Sequence, residues 1–256
     1  VTLKLASLGS GSRGNALLVE FQQTLLMIDC GLTRAAVEER MKLLGRHPSD
    51  LTAVLVTHEH GDHAQGVRAL SRRYPVPVWM TAGTAAGGAA RGIPQVKTFN
   101  CHRPLEIRDL QVCPFPVPHD AREPCQFTFS GGGRKLGILS DTGHVTAHIR
   151  QRLSGCDAVA VEFNHDREAL LGGQYPEHLK QRIASQHGHL SNAQAAELVR
   201  GIAHPELQWV LALHLSEANN SPQRVRQSLH VAFEETHPAG RHLALQDAPS
   251  EWFEIV

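Results

Sequence analysis

The sequence predicts an α/β protein of two facing β-sheets with helices packed outside, a four-layer αββα sandwich. Three observations predict it. Strand-like segments arrive in two batches, each followed by helices. Several strands, such as Leu25-Leu26-Met27-Ile28 and Ala53-Val54-Leu55-Val56, are continuously apolar, as strands covered on both faces are. No linker, low-complexity tract or short-period repeat divides the chain, so residues 1–256 read as one domain.

The elements follow in order. Leu3 to Leu8, Ala16 to Phe21 and Thr24 to Ile28 read as three strands, the last stopped by Asp29-Cys30-Gly31. Gly9-Ser10-Gly11-Ser12-Arg13-Gly14-Asn15 joins the first two, and its glycines let backbone approach a neighbour closely. Thr33 caps a helix to Leu44, ended by Gly45 and Pro48. Ala53 to Thr57 is a strand, a helix runs on to about Arg73, and Pro77 to Met80 is a strand. Residues 82–90 are Ala/Gly-rich and suit a loose helix. Strands are expected at 95–99, 110–117, 125–130 and 134–140, with Gly131-Gly132-Gly133 turning the last hairpin. A helix at 145–153, a strand at 157–161 and a helix at 176–185 follow. Ser191 and Gln194 form a capping box that opens a helix to Arg200. Trp209 to Leu213 is a strand, Ser221-Pro222 opens a helix, and strands at 242–246 and 251–255 end the chain.

Composition narrows the class. Charged residues are 20%, hydrophobic residues 41%, and formal net charge is zero, as in ordinary soluble domains. No apolar run approaches about 18 residues, so no membrane span is expected. The N-terminus offers no signal-peptide hydrophobic region. Cys30, Cys101, Cys113, Cys125 and Cys156 are scattered and include no Cys-x-x-Cys pair. They suggest neither a disulfide framework nor a thiolate metal site, and a reducing cytoplasm fits. Histidine is abundant at 17 residues, so its placement matters.

One cluster stands out. His58-Glu59-His60-Gly61-Asp62-His63 leaves the end of an apolar strand. Two histidines two residues apart in such a turn can face one metal, and Asp62 and His63 can turn to a second. The bland alternative is a polar helix start with solvated histidines. This cluster resembles the first motif of the metallo-β-lactamase superfamily, and the resemblance implies that fold. It also implies a later His, a bridging Asp and a last His. His119 in Pro118-His119-Asp120, Asp141 in Ser140-Asp141-Thr142-Gly143 and His214 in Leu213-His214-Leu215-Ser216 match in order. By the resemblance, His58, His60 and His119 hold one metal. Asp62, His63 and His214 hold the other, and Asp141 lies between. Asp29 resembles the aspartate that orients a ligand histidine. His102 and Asp120 compete with His119. The lesser alternatives are that Asp141 is a plain turn former and His214 a satisfied core histidine.

The superfamily hosts several chemistries, so local residues must choose. Its flavodiiron oxidoreductases place an acid where His60 stands, which argues against that branch. Val161-Glu162-Phe163-Asn164, then Gly188-His189-Leu190-Ser191-Asn192 opening an Ala-rich helix, look similar to ribonuclease Z-type nucleases. A helix N-terminus suits a phosphate, and a histidine just before it can stabilise the transition state. His189 is thus expected to be phosphate clamp and acid, oriented by Glu162. With Ser7 to Asn15, Asp29 to Leu32 and Glu162 to Asp166, the chain resembles the YycJ/WalJ family along nearly its whole length. That resemblance implies a 5′-to-3′ exonuclease acting on DNA with manganese or zinc.

The reading is therefore a two-metal phosphodiester hydrolase. Two divalent ions, Zn or Mn with Fe also suited, are expected from a His/Asp donor set. Asp62 is expected to orient the attacking water and take its proton. Ser12, Asn15 and Asn164 are expected to line the entrance, although the glycine loop reads equally as a tight turn. Nucleic acid is the expected substrate, DNA before RNA, and no membrane is involved. Only about twenty residues separate Asp141 from Glu162, too few for an inserted nucleic-acid-gripping domain. Basic groups at Arg72-Arg73, Arg150/Arg152, Lys180/Arg182 and Arg224/Arg226 read as solvated helix faces whose convergence is not legible. Two alternatives stay open: a small-molecule hydrolase (a cyclic or small phosphodiesterase, or a thioesterase), and an interaction scaffold with an idle metal site.

Overall fold

The computed structural model describes residues 2–233 and 237–256. The first sheet begins with β1 (Leu3–Gly9), β2 (Ala16–Phe21) and β3 (Thr24–Ile28). Then come α1 (Arg34–Leu43), β4 (Ala53–Leu55), α2 (Gly61–Ala64), α3 (Val67–Arg73), β5 (Val78–Thr81), α4 (Ala82–Thr84) and β6 (Val96–Phe99). The second sheet opens with β7 (Leu105–Ile107), β8 (Leu110–Pro116), β9 (Cys125–Gly131) and β10 (Arg134–Leu139). It continues through α5 (Ala147–Leu153), β11 (Ala158–Glu162), α6 (Arg167–Gly172), α7 (Glu177–Ile183), α8 (Asn192–Ile202), β12 (Trp209–Leu213), α9 (Pro222–Ala232) and β13 (Gly240–Leu243). β14 (Phe253–Ile255) closes the chain.

Strand order is β14-β1-β2-β3-β4-β5-β6 in one sheet and β13-β12-β11-β10-β9-β8-β7 in the other. Strands β3 to β6 are parallel, as are β10 to β13; the remaining pairs are antiparallel.

Side-chain alternation builds the layers, because successive residues of a strand point to opposite faces. Leu26 and Ile28 of β3, Ala158 and Ala160 of β11, and Leu211 of β12 enter the core between the sheets, with Phe127 and Phe129. Their neighbours Leu25 and Met27 pack under α1 and α3, while Val159, Val161 and Val210 pack under α5, α8 and α9. Continuous apolar runs were the expected signature, and this double burial is its cause.

The differences from expectation are local. The helix after the histidine cluster divides in two. Gly66 N–H donates to the Cys30 carbonyl at 2.8 Å, and a side chain there would strike the Leu32 and Cys30 carbonyls. The Ala/Gly-rich stretch is a loose helix as expected: α4 runs straight into a wide π-helical turn at residues 85–89, kinked at Gly88 with φ 108°. β7 and α6 carry too few periodic residues to announce themselves. The C-terminal strand crosses to the first sheet, pairing Leu3 with Ile255. All five cysteines are free. Among the described residues, no helix is long and apolar enough to cross a membrane.

Candidate metal centre

The carboxyl ends of five parallel strands meet at one edge, where ligands of open α/β sheets gather. β3 delivers Asp29, β4 His58, β10 Asp141, β11 Glu162 and β12 His214. Asp29, Asp141 and His214 have φ of 60°, 33° and 54°. This left-handed region costs most residues energy, and Asp and His tolerate it better than most. Here it turns each side chain off its strand and into the centre.

Two donor groups form around Asp141. His58, His60, His119 and Asp141 offer ligand atoms within 4.8 Å of one another, and so do Asp62, His63, Asp141 and His214. Asp141 Oδ2 lies 3.5 Å from His58 Nε2, 3.2 Å from His63 Nε2 and 3.5 Å from His119 Nε2. Its Oδ1 lies 2.9 Å from His214 Nδ1, without the angles of a hydrogen bond.

The partners fix the histidine tautomers. The carbonyl of Gly188 can only accept, so His119 Nδ1 carries the proton at 3.0 Å. By the same logic His60 Nε2 donates to the Asp120 carbonyl at 3.2 Å. His63 Nδ1 donates to Asp29 Oδ2 at 2.7 Å. Thr57 donates its hydroxyl to the same Oδ2 at 2.8 Å, so it accepts from His58 Nδ1 at 2.9 Å. One carboxylate thus orients two histidines, His63 directly and His58 through Thr57. Sequence reading missed Thr57, although its place beside His58 was a usable signal.

This leaves bare nitrogens pointing inward. His60 Nδ1 and His119 Nε2 face each other at 3.3 Å, both without a proton, and buried His58 Nε2 has no hydrogen-bond partner. Lone pair against lone pair is repulsive unless a cation sits among them. Burial, then the charge of His63, holds His58 neutral, its pKa well below the usual histidine range. Burial alone would raise the pKa of Asp62 and Asp141, but facing His63 and His214 outweighs it, and both are pulled below the usual carboxylate range. Buried carboxylates among imidazoles, and no thiolate, fit divalent cations.

A third grouping of Asp141, Glu162, His189 and His214 has another explanation. Glu162 Oε1 accepts from Thr142 N at 2.7 Å and Leu190 N at 3.2 Å, and Oε2 from His189 Nδ1 at 3.1 Å. It is a hydrogen-bond network that aims His189, whose ring lies between His119 and His214.

The entrance corrects two expectations. Asn15 does not line it. Its Oδ1 accepts from Gly11 N and Ser10 Oγ, its Nδ2 donates to the Gly11 carbonyl, and it is buried. The glycine loop packs on ligand loops instead. Asn15 N donates to the Asp62 carbonyl at 2.8 Å, and Ser10 Oγ accepts from His214 N at 2.8 Å. Nor is the start of α8 free for a phosphate. Asn192 N donates to the His165 carbonyl, and Ser191 caps Gln194 N. Ser12 and Asn164 do line the cleft, with Asp62, His189 and His214, around about 420 Å³. Asn164 Nδ2 also donates to the His214 carbonyl at 3.1 Å. His102 is exposed, outside both donor groups; Asp120 sits at the cleft wall.

The family model described as Beta-lactamase superfamily domain matches residues 24–211, and the chain belongs to that superfamily as a metal-dependent hydrolase of the metallo-β-lactamase fold. Among its relatives, Exodeoxyribonuclease YycJ of Bacillus anthracis is 35% identical over 237 residues, 91% of this chain and 90% of that protein. Exodeoxyribonuclease WalJ of Streptococcus pneumoniae is 33% identical over 227 residues, 86% of this chain and 84% of the relative. The crystal structure of the metallo-β-lactamase fold protein YhfI from Bacillus subtilis superposes with a TM-score of 0.76 at 15% identity, covering 99% of this chain and all of that one.

Proposed function

We propose that this chain is a two-metal phosphodiester hydrolase that degrades DNA from the 5′ end, with DNA preferred over RNA. The observation that carries the reading is the Glu162–His189 pair. Its Nδ1 tied to buried Glu162, His189 turns its Nε2 edge toward a cleft already rimmed by both donor groups. A proton there donates to a phosphoryl oxygen or the leaving group. The names of the two relatives support nuclease chemistry on DNA. A cleft of about 420 Å³ has room for a terminal nucleotide, in keeping with attack on a chain end.

In this reading His58, His60, His119 and Asp141 hold one ion, and Asp62, His63, His214 and Asp141 the other. Zn or Mn suits the donors, with Fe a third choice. When bound, the ions supply Lewis acidity and bring the pKa of water toward neutrality. Asp62 orients the attacking water and takes its proton. Ser12 and Asn164 contact substrate at the rim. Both sheets contribute to one centre, which supports a single domain, and the free cysteines support a reducing cytoplasm.

The test compares purified wild type with His189→Ala. Bound metal is quantified, then degradation of end-labelled single- and double-stranded DNA and RNA is followed with Mn²⁺ or Zn²⁺, beside a chromogenic phosphodiester. Nucleotide release from the 5′ end, lost in His189→Ala with metal retained, is the expected result. Turnover of the chromogenic ester alone overturns the nuclease reading in favour of a small-molecule phosphodiesterase. A protein that holds no metal and turns over neither overturns the hydrolase reading in favour of a scaffold.

A further inference from the structure

We propose that Arg182 and Tyr175 form a subsite for the nucleotide beside the scissile bond: Arg182 binds the neighbouring phosphate and Tyr175 stacks on the base. The proposal rests on the phosphodiester reading above and adds what selects a polymer over a small ester. Among the described residues lining the cleft, Arg182 is the one arginine or lysine, and Tyr175 the one tyrosine, phenylalanine or tryptophan. The remaining charged or titratable lining groups are carboxylates and histidines. Both come from one wall, α7 and the turn that leads into it.

Arg182 is placed for exchange. Its Nε donates to Asp120 Oδ2 at 2.6 Å, and the other oxygen of Asp120 lies 3.4 Å from His119 Nε2 and 3.8 Å from His60 Nε2. One carboxylate therefore separates the guanidinium from the donor groups. The Arg182 side chain remains 59% exposed, and Nε is its only engaged nitrogen among the described residues. Replacing Asp120 by a phosphate swaps one anion for another, while the two free Nη groups add a fork that matches phosphate oxygens.

Other nearby cations are committed elsewhere. Lys180, its neighbour in sequence, turns out of the cleft and donates to the Leu171 carbonyl at 2.7 Å. Arg13, beside Ser12 on the rim, is held by Glu217 and Asp247. In a chain with no net charge, an exposed cation beside the centre whose single carboxylate partner a phosphate can replace decides where a polyanion is gripped. Tyr175 and Leu179 form an apolar face on the same wall. Stacking accepts any base, as an enzyme that shortens arbitrary sequence requires.

The experiment uses the metal-loaded protein and its Arg182→Met, Arg182→Lys, Tyr175→Ala and Tyr175→Phe variants. The substrates are the dinucleotide dTpdT, which has one phosphate, and pdTpdT and dTpdTp, which have two. Binding of thymidine 3′,5′-bisphosphate and of thymidine is measured by calorimetry. The wild type is expected to prefer one two-phosphate substrate by about 10- to 100-fold in kcat/KM, the range of a hydrogen bond to a charged group. The preferred arm tells on which side of the bond Arg182 lies. Arg182→Met is expected to bring that ratio to about one and to abolish tighter binding of the bisphosphate, with Arg182→Lys restoring part. Tyr175→Ala is expected to raise KM for all three about tenfold, and Tyr175→Phe to restore it. A wild type that cleaves dTpdT but ignores the second phosphate overturns the subsite alone, as does an Arg182→Met ratio equal to wild type. A wild type that cleaves no phosphodiester overturns the function reading and the subsite with it.

Discussion

Replacing Asp29 by Asn probes the centre without touching a donor. The Asp29 carboxylate is 4% exposed and accepts three hydrogen bonds: Thr57 N on Oδ1 at 2.8 Å, and Thr57 Oγ1 and His63 Nδ1 on Oδ2 at 2.8 and 2.7 Å. Asn has the same shape and tolerates φ of 60° equally well, so the backbone does not confound the result. Its amide nitrogen has no good position. Facing Thr57 N–H, it sets donor against donor. Facing His63, it forces the tautomer with the proton on Nε2, which removes the lone pair aimed at the cation. Either way about one charge-assisted hydrogen bond is lost, about 1.5–3 kcal/mol. That corresponds to roughly 10- to 100-fold weaker metal binding, the range seen for such orienting partners. The assay is competition with a chelator of known affinity, on protein whose fold is verified by circular dichroism. The ion served by His63 should weaken most, and Thr57→Val should weaken the His58 ion instead. Folded Asp29→Asn protein that holds both ions as tightly as wild type would refute the reasoning.

Gly31→Ala should reduce metal affinity although Gly31 offers no ligand atom, because the added methyl would strike the Asp62 backbone carbonyl; isothermal titration against wild type reads this. Ser191→Ala removes the cap of α8 and should cost about 1 kcal/mol in urea unfolding, with metal content unchanged. His165 gives a pH signature. Burial, only partly offset by Glu162, pushes its pKa down to about 4, below its unfolded value of 6.5. The unfolded chain then binds more protons between those values, so stability is complete above pH 6.5 and falls as pH drops toward 4. Between pH 7.5 and 5, wild type should lose about 2 kcal/mol more than a non-titrating His165→Phe chain, taking one pKa unit as about 1.4 kcal/mol. Equal pH slopes in the two proteins would remove His165 from the account.

Much of this was local and therefore legible in the chain. The run Leu25 to Ile28 had to be a strand covered on both faces. Ser191 with Gln194 had to open a helix. The spacing from His58 to His63 brought four donors within one turn. Such signals depend on neighbours a few residues away, where sterics and side-chain reach are set by the chain itself.

What the chain alone left open was everything that needed loops to close. Asn15 looked like a cleft residue, and packing made it the bracket that holds the glycine loop on Asp62. Lys180 and Arg182 looked like one solvated pair, yet helix phase sends Lys180 outward and Arg182 to the cleft. Strand β14 reads like any edge strand until it pairs with β1, some 250 residues earlier. Asp29, His58, Asp141 and His214 meet because two sheets stack and align the ends of their parallel strands. That alignment comes from burying the core between Phe127, Leu26 and Leu211, an interaction no window of local sequence contains.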